Sequence, residues 1–178
     1  YQRSVGEGCV KWRSGRARLI LPPENGPVAR VAVRFPKRFF FFATVRSAEE
    51  LEGARRLGTV RGVKLHAWWH RLDLRGLQHL YESCRDRRLP VLIHLAGNDA
   101  GGRAAFEVAR ELPNLYLDTS GPMINERALR RLIARPGPEK LIFGTDAPAD
   151  LFDSPHGISW RPYLELYRRV LPDPAARE

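Results

Sequence analysis

The stretch Val60-Arg-Gly-Val-Lys-Leu-His66 is a predicted strand, and two later stretches, Leu89-Pro-Val-Leu-Ile-His94 and Leu115-Tyr-Leu-Asp118, resemble it. The later two are mostly apolar and the first carries Val60, Val63 and Leu65, and each of the three ends on a polar side chain. Segments with apolar residues at helical spacing separate these runs. Continuous apolar runs are typical of parallel strands that are buried on both faces. The pattern therefore predicts parallel β/α construction.

Over the whole sequence, predicted strands and helices alternate about six times. Further strands are predicted at 18–21, 39–45 and 141–143, and helices at 26–35, 48–57, 74–84, 104–112, 126–133 and 163–171. An eight-unit β/α barrel typically needs about 250 residues, so 178 residues hold nearly six units. We therefore predict an α/β fold that is a partial or shortened (β/α) TIM-barrel-like structure with about six parallel strands.

One domain is expected over 1–178. Within it, 1–16 stay unassigned, 17–150 supply the barrel units, and 151–178 form a carboxyl-terminal loop and helix. Because the chain begins with Tyr1 and not with Met, we expect its true start to lie elsewhere.

The net charge of +10 is mostly arginine, at 26 of 30 basic residues. These arginines are spread along helical segments, which favours solvated faces over a dedicated nucleic-acid surface. No apolar run approaches the roughly 20 residues that a membrane span needs. Cys9 and Cys84 lie far apart without metal-type spacing. A disulfide between them stays open, but two thiols in a cytoplasmic protein is the simpler interpretation.

Polar residues capable of binding a metal stand where four of the predicted strands end. In parallel β/α architectures ligands bind at the carboxyl ends of the strands. Imidazole nitrogens and carboxylate oxygens together suit zinc or another divalent metal of the first transition row. The residues at these ends are His66, His94, Asp118 and Asp146.

The order of four segments resembles the later strands of the amidohydrolase-2 (amidohydrolase-related) family. Three are the strand ends at His66, His94 and the run Leu115-Tyr-Leu-Asp-Thr-Ser-Gly121, and the fourth is Leu141-Ile-Phe-Gly-Thr-Asp-Ala-Pro148. The resemblance extends from about Arg18 to Pro148. That family contains metal-dependent hydrolases and decarboxylases such as aminocarboxymuconate-semialdehyde decarboxylase.

The resemblance implies roles for two residues. His94 matches the family's strand-five histidine, a metal ligand. Asp146 matches the strand-eight aspartate, which ligates the metal and handles the proton of the bound water. The metal would be zinc, with manganese as the alternative, and the substrate a small carboxylate, amide or lactone. Non-oxidative decarboxylation of a small molecule is the alternative reaction.

Two departures from the family pattern bear on activity. The first-strand His-x-His pair does not occur in this sequence, and 1–16 contain no histidine. The family also has a strand with another functional histidine between the His94-type and Asp118-type segments, and only a short interval is left for it here. We therefore expect weak metal binding unless a partner chain contributes, and a barrel remnant acting as an interaction protein is a further alternative. An incomplete barrel leaves strand edges unpaired, so we predict a homo-oligomer.

The other candidate residues each have a functional and a structural interpretation. His66 is either a catalytic, substrate-facing group or a histidine satisfied within the core, and Lys64 points the same way as His66. Trp68 and Trp69 would form a pocket wall for a planar substrate or else anchor a loop. Asp118, with Thr119 and Ser120, would support the site from behind. His156 and Lys64 complete the predicted substrate contacts.

Overall fold

A five-stranded parallel sheet is the main element of the part of the chain that the structure describes. The computed structural model describes residues 4–5, 8–9, 23–70, 72–95, 99–120, 125–144 and 161–171. The strands of this sheet are β3 (Phe41–Thr44), β4 (Val60–Leu65), β5 (Val91–His94), β6 (Leu115–Asp118) and β7 (Leu141–Ile142). They lie side by side in the order β3-β4-β5-β6-β7, and each strand is parallel to its neighbours.

Helices lie between the consecutive strands of the parallel sheet, as in a β/α barrel, and one more helix comes before the first of these strands and one after the last. They are α1 (Asn25–Arg34), α2 (Ala48–Arg55), α3 (Ala67–His70), α4 (Gln78–Asp86), α5 (Asp99–Glu111), α6 (Glu126–Ala134) and α7 (Arg161–Val170). A short antiparallel pair, β1 (Ser4–Val5) and β2 (Gly8–Cys9), lies outside the parallel sheet. The predicted partial TIM-barrel-like fold is confirmed. The strand predicted at 18–21 lies outside the described residues.

The two faces of the sheet differ in burial. Residues that share a register row point to the same face. One such row, Ala43, Val63, Val91 and Leu115, is almost fully buried. It packs in one core with helical residues such as Ala54, Cys84 and Val108. The next row, Thr44, Lys64, Leu92 and Tyr116, is only partly buried. The helices therefore cover one face, and the polar strand ends lie on the other.

Local hydrogen bonds fix where several elements begin. Ser47 caps α2 by accepting a bond of 3.2 Å from the Glu50 N–H, and Glu50 accepts one of 2.7 Å from the Arg46 N–H. These two bonds are close to a capping box, except that Glu50 binds the N–H of the residue before the cap. The amide of Asn25 binds the backbone of Thr44 twice, donating to its carbonyl and accepting from its N–H, each at 2.8 Å.

Some element bounds differ from the sequence prediction. Helix α5 starts at Asp99, five residues before the predicted start, although Gly101 and Gly102 disfavour helix; burial of Ala105 and Ala109 outweighs that propensity. The helix predicted over 74–84 is divided, because a 3₁₀ turn at Leu74–Gly76, capped by Asp73, precedes α4. Cys84 is a free, buried thiol. No helix within the described ranges is long and apolar enough to cross a bilayer.

Candidate active site

Four of the predicted site residues come together at the carboxyl end of the sheet. Lys64 lies near the end of β4 and His66 directly follows that strand. His94 is the last residue of β5 and Asp118 the last residue of β6, and the two are register partners. The sequence pattern therefore placed these side chains at the same edge of three neighbouring strands.

The carboxylate of Asp118 is at the centre of this cluster. It forms an ion pair with Lys64 through Oδ2, and Oδ1 accepts a hydrogen bond of 2.9 Å from the backbone N–H of Ser120. Asp118 is 8% exposed. Burial alone would raise the pKa of Asp118, but the polar contact with His94 and the charge of Lys64 hold it well below its usual range. Asp118 is therefore an anion with a cation at its side.

His94 is held in one orientation by two groups on β6 and just after it. Its Nδ1 lies 3.1 Å from the hydroxyl oxygen of Ser120 and 3.6 Å from Oδ2 of Asp118. Thr119 fixes this segment to β7, because its N–H and its hydroxyl both donate to the Ile142 carbonyl at 3.1 Å. A carboxylate near Nδ1 favours the tautomer protonated there, which leaves the lone pair on Nε2 for a ligand.

His66 packs its ring against the ring of His94. The ring centroids are 4.3 Å apart and the planes are tilted by 33°. The ring of His70 lies 6.4 Å from that of His66, edge to face. Burial, the largest cause, and the neighbouring His94, His70 and Lys64 lower the pKa of His66 from 6.5 to about 3. At neutral pH His66 is therefore an uncharged imidazole, suited to hydrogen bonding more than to taking a proton.

Gly144, just after β7, approaches the cluster closely. A Cβ atom at this position would lie 2.9 Å from Cβ of Ser120 and would collide with Oδ1 of Asp118. Only a residue without a side chain lets the backbone come so near to Asp118. The backbone at Gly144 therefore lies directly against Asp118 and Ser120.

The remaining predicted site residues are only partly described. Trp68 and Trp69 belong to α3, where a loop was predicted, but their side chains lie outside the described part. Asp146 and His156 lie outside the described residues altogether. Sequence reasoning did not foresee the Lys64–Asp118 pair. The sequence predicts Ser120, with Asp118 and Thr119, only as support for the site, and it does not predict the contact of the Ser120 hydroxyl with His94. The sequence does indicate that Lys64 belongs near the site, because it is two residues before His66 and therefore points to the same face of the sheet.

The described residues do not by themselves fit a divalent metal. They contribute the two imidazoles of His66 and His94, and the carboxylate of Asp118 is already paired with Lys64. Within the described ranges no group of three or more His, Cys, Asp or Glu side chains is arranged to hold a metal ion. A catalytic zinc site usually has three protein ligands.

Comparison with known proteins supports the fold and the family. The model of the amidohydrolase family matches residues 95–178, which begins just after His94 and extends beyond the predicted Pro148. No curated protein sequence matches the chain. Members of the amidohydrolase family usually use a divalent metal.

Two solved structures share the fold at low identity. The apo structure of Agrobacterium tumefaciens ATU3138 has 16% identity and a TM-score of 0.59, over 86% of this chain and 69% of that one. A probable 2-pyrone-4,6-dicarboxylic acid hydrolase from Acinetobacter baumannii, with citric acid bound, has 14% identity and a TM-score of 0.53, over 86% and 74%. The predicted resemblance to the amidohydrolase-related family is confirmed by the family model, which matches residues 95–178, and the two structures show that the fold is shared.

Proposed function

We propose that this chain hydrolyses a small lactone, ester or amide that carries carboxylate groups. The observation that carries the proposal is the buried cluster of Lys64, His94, Asp118 and Ser120 at the carboxyl ends of β4, β5 and β6. In parallel β/α proteins this edge is where ligands bind. The amidohydrolase match of residues 95–178 supports hydrolysis as the reaction class.

Two observations support a substrate with negative charge. The Acinetobacter baumannii structure is named a probable hydrolase of a dicarboxylic acid and holds citric acid, itself a tricarboxylic acid. The net charge of this chain is +10, which attracts small anions to its surface. Trp68, Trp69 and His156 are proposed to contact the substrate, with Lys64 at the edge of the same site.

Hydrolysis requires that water add to a carbonyl carbon, that the carbon–oxygen or carbon–nitrogen bond break, and that the leaving group receive a proton. We propose that Asp146 takes the proton from the attacking water and returns it to the leaving group, as the family resemblance implies. His94 holds the water or the substrate oxygen through Nε2, because its Nδ1 is occupied by Ser120 and Asp118. His66, neutral at pH 7, supplies a further hydrogen bond.

The resemblance also implies zinc or manganese bound by His94 and Asp146. Since the described residues do not fit a metal on their own, no step of this proposal uses one. Elemental analysis of the purified protein, before and after incubation with zinc or manganese, measures whether a metal is present. The proposed homo-oligomer is measured by sedimentation at micromolar concentration, where a clean monomer would contradict it.

The test is a screen of lactones, esters and amides of di- and tricarboxylic acids. The purified chain is compared with three variants, His94→Asn, Asp146→Asn and the surface control His79→Asn, whose side chain is 97% exposed. We expect turnover by the parent and the control, and kcat/KM at least about 100-fold lower in the two site variants. Equal activity in all four proteins would contradict the site. Release of carbon dioxide without hydrolysis would show that the chain is a decarboxylase. A parent protein that is folded but inactive would show that it is a barrel remnant.

A further inference from the structure

We propose that the ammonium group of Lys64 occupies the position at which Asp118 would otherwise bind a divalent cation, so that this site carries its own fixed cation. The proposal concerns metal binding and stands apart from the hydrolytic activity. Its basis is the disagreement between the family's usual use of a metal and the residues present here.

The carboxylate of Asp118 has little capacity left for a metal. Oδ1 accepts the N–H of Ser120 at 2.9 Å, and Oδ2 faces both the ammonium of Lys64 and Nδ1 of His94. The side chain is 11% exposed, so water cannot easily replace these partners. A metal ion would have to displace the ammonium before it could reach Oδ2.

The charge at the site also disfavours a second cation. Lys64 and Asp118 neutralise one another, and His66 and His94 line the same side of the cluster as two imidazole rings. A divalent ion within a few ångströms of the ammonium would meet strong repulsion in this partly buried environment. Lys64 is itself held in place, because its side chain is only 25% exposed and spans from β4 to β6.

Removal of the ammonium should therefore create metal affinity. In Lys64→Met, a side chain of similar length removes the ammonium from Oδ2 of Asp118, which lies 3.6 Å from Nδ1 of His94. We expect Zn²⁺ to bind at least about tenfold more tightly to Lys64→Met than to the parent, in equilibrium dialysis. Co²⁺ should give a ligand-field absorption band in this variant that the parent lacks. Lys64→Arg keeps the cation and should bind as weakly as the parent, and Lys64→Met/Asp118→Asn should lose the gain.

Two results would overturn the proposal. One is Zn²⁺ affinity in Lys64→Met that is equal to, or weaker than, that of the parent. The second result comes from Asp118→Asn, and it tests the proposal even if Lys64→Met does not fold. Because the ammonium already occupies Asp118, Asp118→Asn should leave the parent's Zn²⁺ affinity unchanged. A loss of tenfold or more in Asp118→Asn would show that Asp118 ligates metal in spite of Lys64.

Discussion

The ammonium of Lys64 in β4 reaches past β5 to the carboxylate of Asp118 in β6, so the ion pair joins two strands that do not hydrogen-bond to each other. The carboxylate is the more buried partner, with 11% of its side chain exposed against 25% for Lys64. Removing Lys64 and removing Asp118 should therefore change the stability of the protein by different amounts.

Lys64→Met should lower the free energy of unfolding by about 3–5 kcal/mol, because it leaves a buried carboxylate without its cation. Asp118→Asn should cost less, since the longer and more exposed Lys64 can turn its ammonium to water. Urea denaturation at pH 7 measures both. The double variant Lys64→Met/Asp118→Asn should be more stable than Lys64→Met alone. A double variant that is less stable than Lys64→Met would contradict the ion pair.

The buried His66 should make the fold sensitive to mild acid. Its pKa is about 3 in the folded chain against 6.5 as the ordinary value, so the unfolded chain binds the proton more readily. Stability is therefore lost as the pH falls below 6.5, by about 2 kcal/mol between pH 7.5 and pH 5. The free energy of unfolding of His66→Gln, measured by denaturation at both pH values, should not show this loss. The exposed His79→Gln serves as the control and should behave as the parent; equal acid sensitivity in all three proteins would exclude His66 as the cause.

Gly62 in β4 accommodates the ring of Phe42 from the neighbouring strand. A Cβ atom at Gly62 would lie 2.7 Å from both Cδ1 and Cζ of that ring. Gly62→Ala should therefore destabilise the protein by about 1–3 kcal/mol, as overpacking does, and Phe42→Leu in the same chain should recover part of the loss. The helical control Gly53→Ala has space, 3.7 Å from the Arg56 side chain, and should stabilise by up to about 1 kcal/mol. Thermal unfolding of the four proteins compares these effects.

Two helices depend on side-chain caps of the same kind. Ser47 accepts from the N–H of Glu50 at 3.2 Å, and Asn125 accepts from the N–H of Ala128 at 3.0 Å. Ser47→Ala and Asn125→Ala should each cost about 1 kcal/mol, measured by chemical denaturation. Ser47→Asp keeps an acceptor oxygen at the cap and should retain most of the stability. A loss in Ser47→Asp as large as in Ser47→Ala would mean that the hydroxyl acts by some other contact.

The strands that place the site could be predicted because their signal is local. The bounds of β4 and β6, Val60–Leu65 and Leu115–Asp118, are those predicted, since the apolar residues of each stretch lead to a polar residue at the end of the strand or directly after it. The position of His94 at the end of β5 follows from the same pattern. These predictions needed only the alternation of apolar runs and helical spacing.

The partners of these side chains could not be predicted, because they depend on register between strands. Lys64 and Asp118 are 54 residues apart in sequence, and their pairing requires β5 to lie between them in the observed register. The contact of Ser120 with His94 likewise depends on how the chain leaves β6. The pair β1 and β2 was not predicted, since two residues are too few to show a period.

The amide of Asn25 affects how β3, which is at one edge of the sheet within the described residues, could pair with a further strand. Its side chain imitates a peptide group and satisfies both the N–H and the carbonyl of Thr44. A strand from another molecule could not hydrogen-bond to Thr44 at this edge, because both backbone groups of Thr44 are already bonded to Asn25. It would pair with Phe41–Ala43 alone or would have to displace the side chain of Asn25. The helix that begins at Asn25 therefore disfavours the addition of a further strand at Thr44.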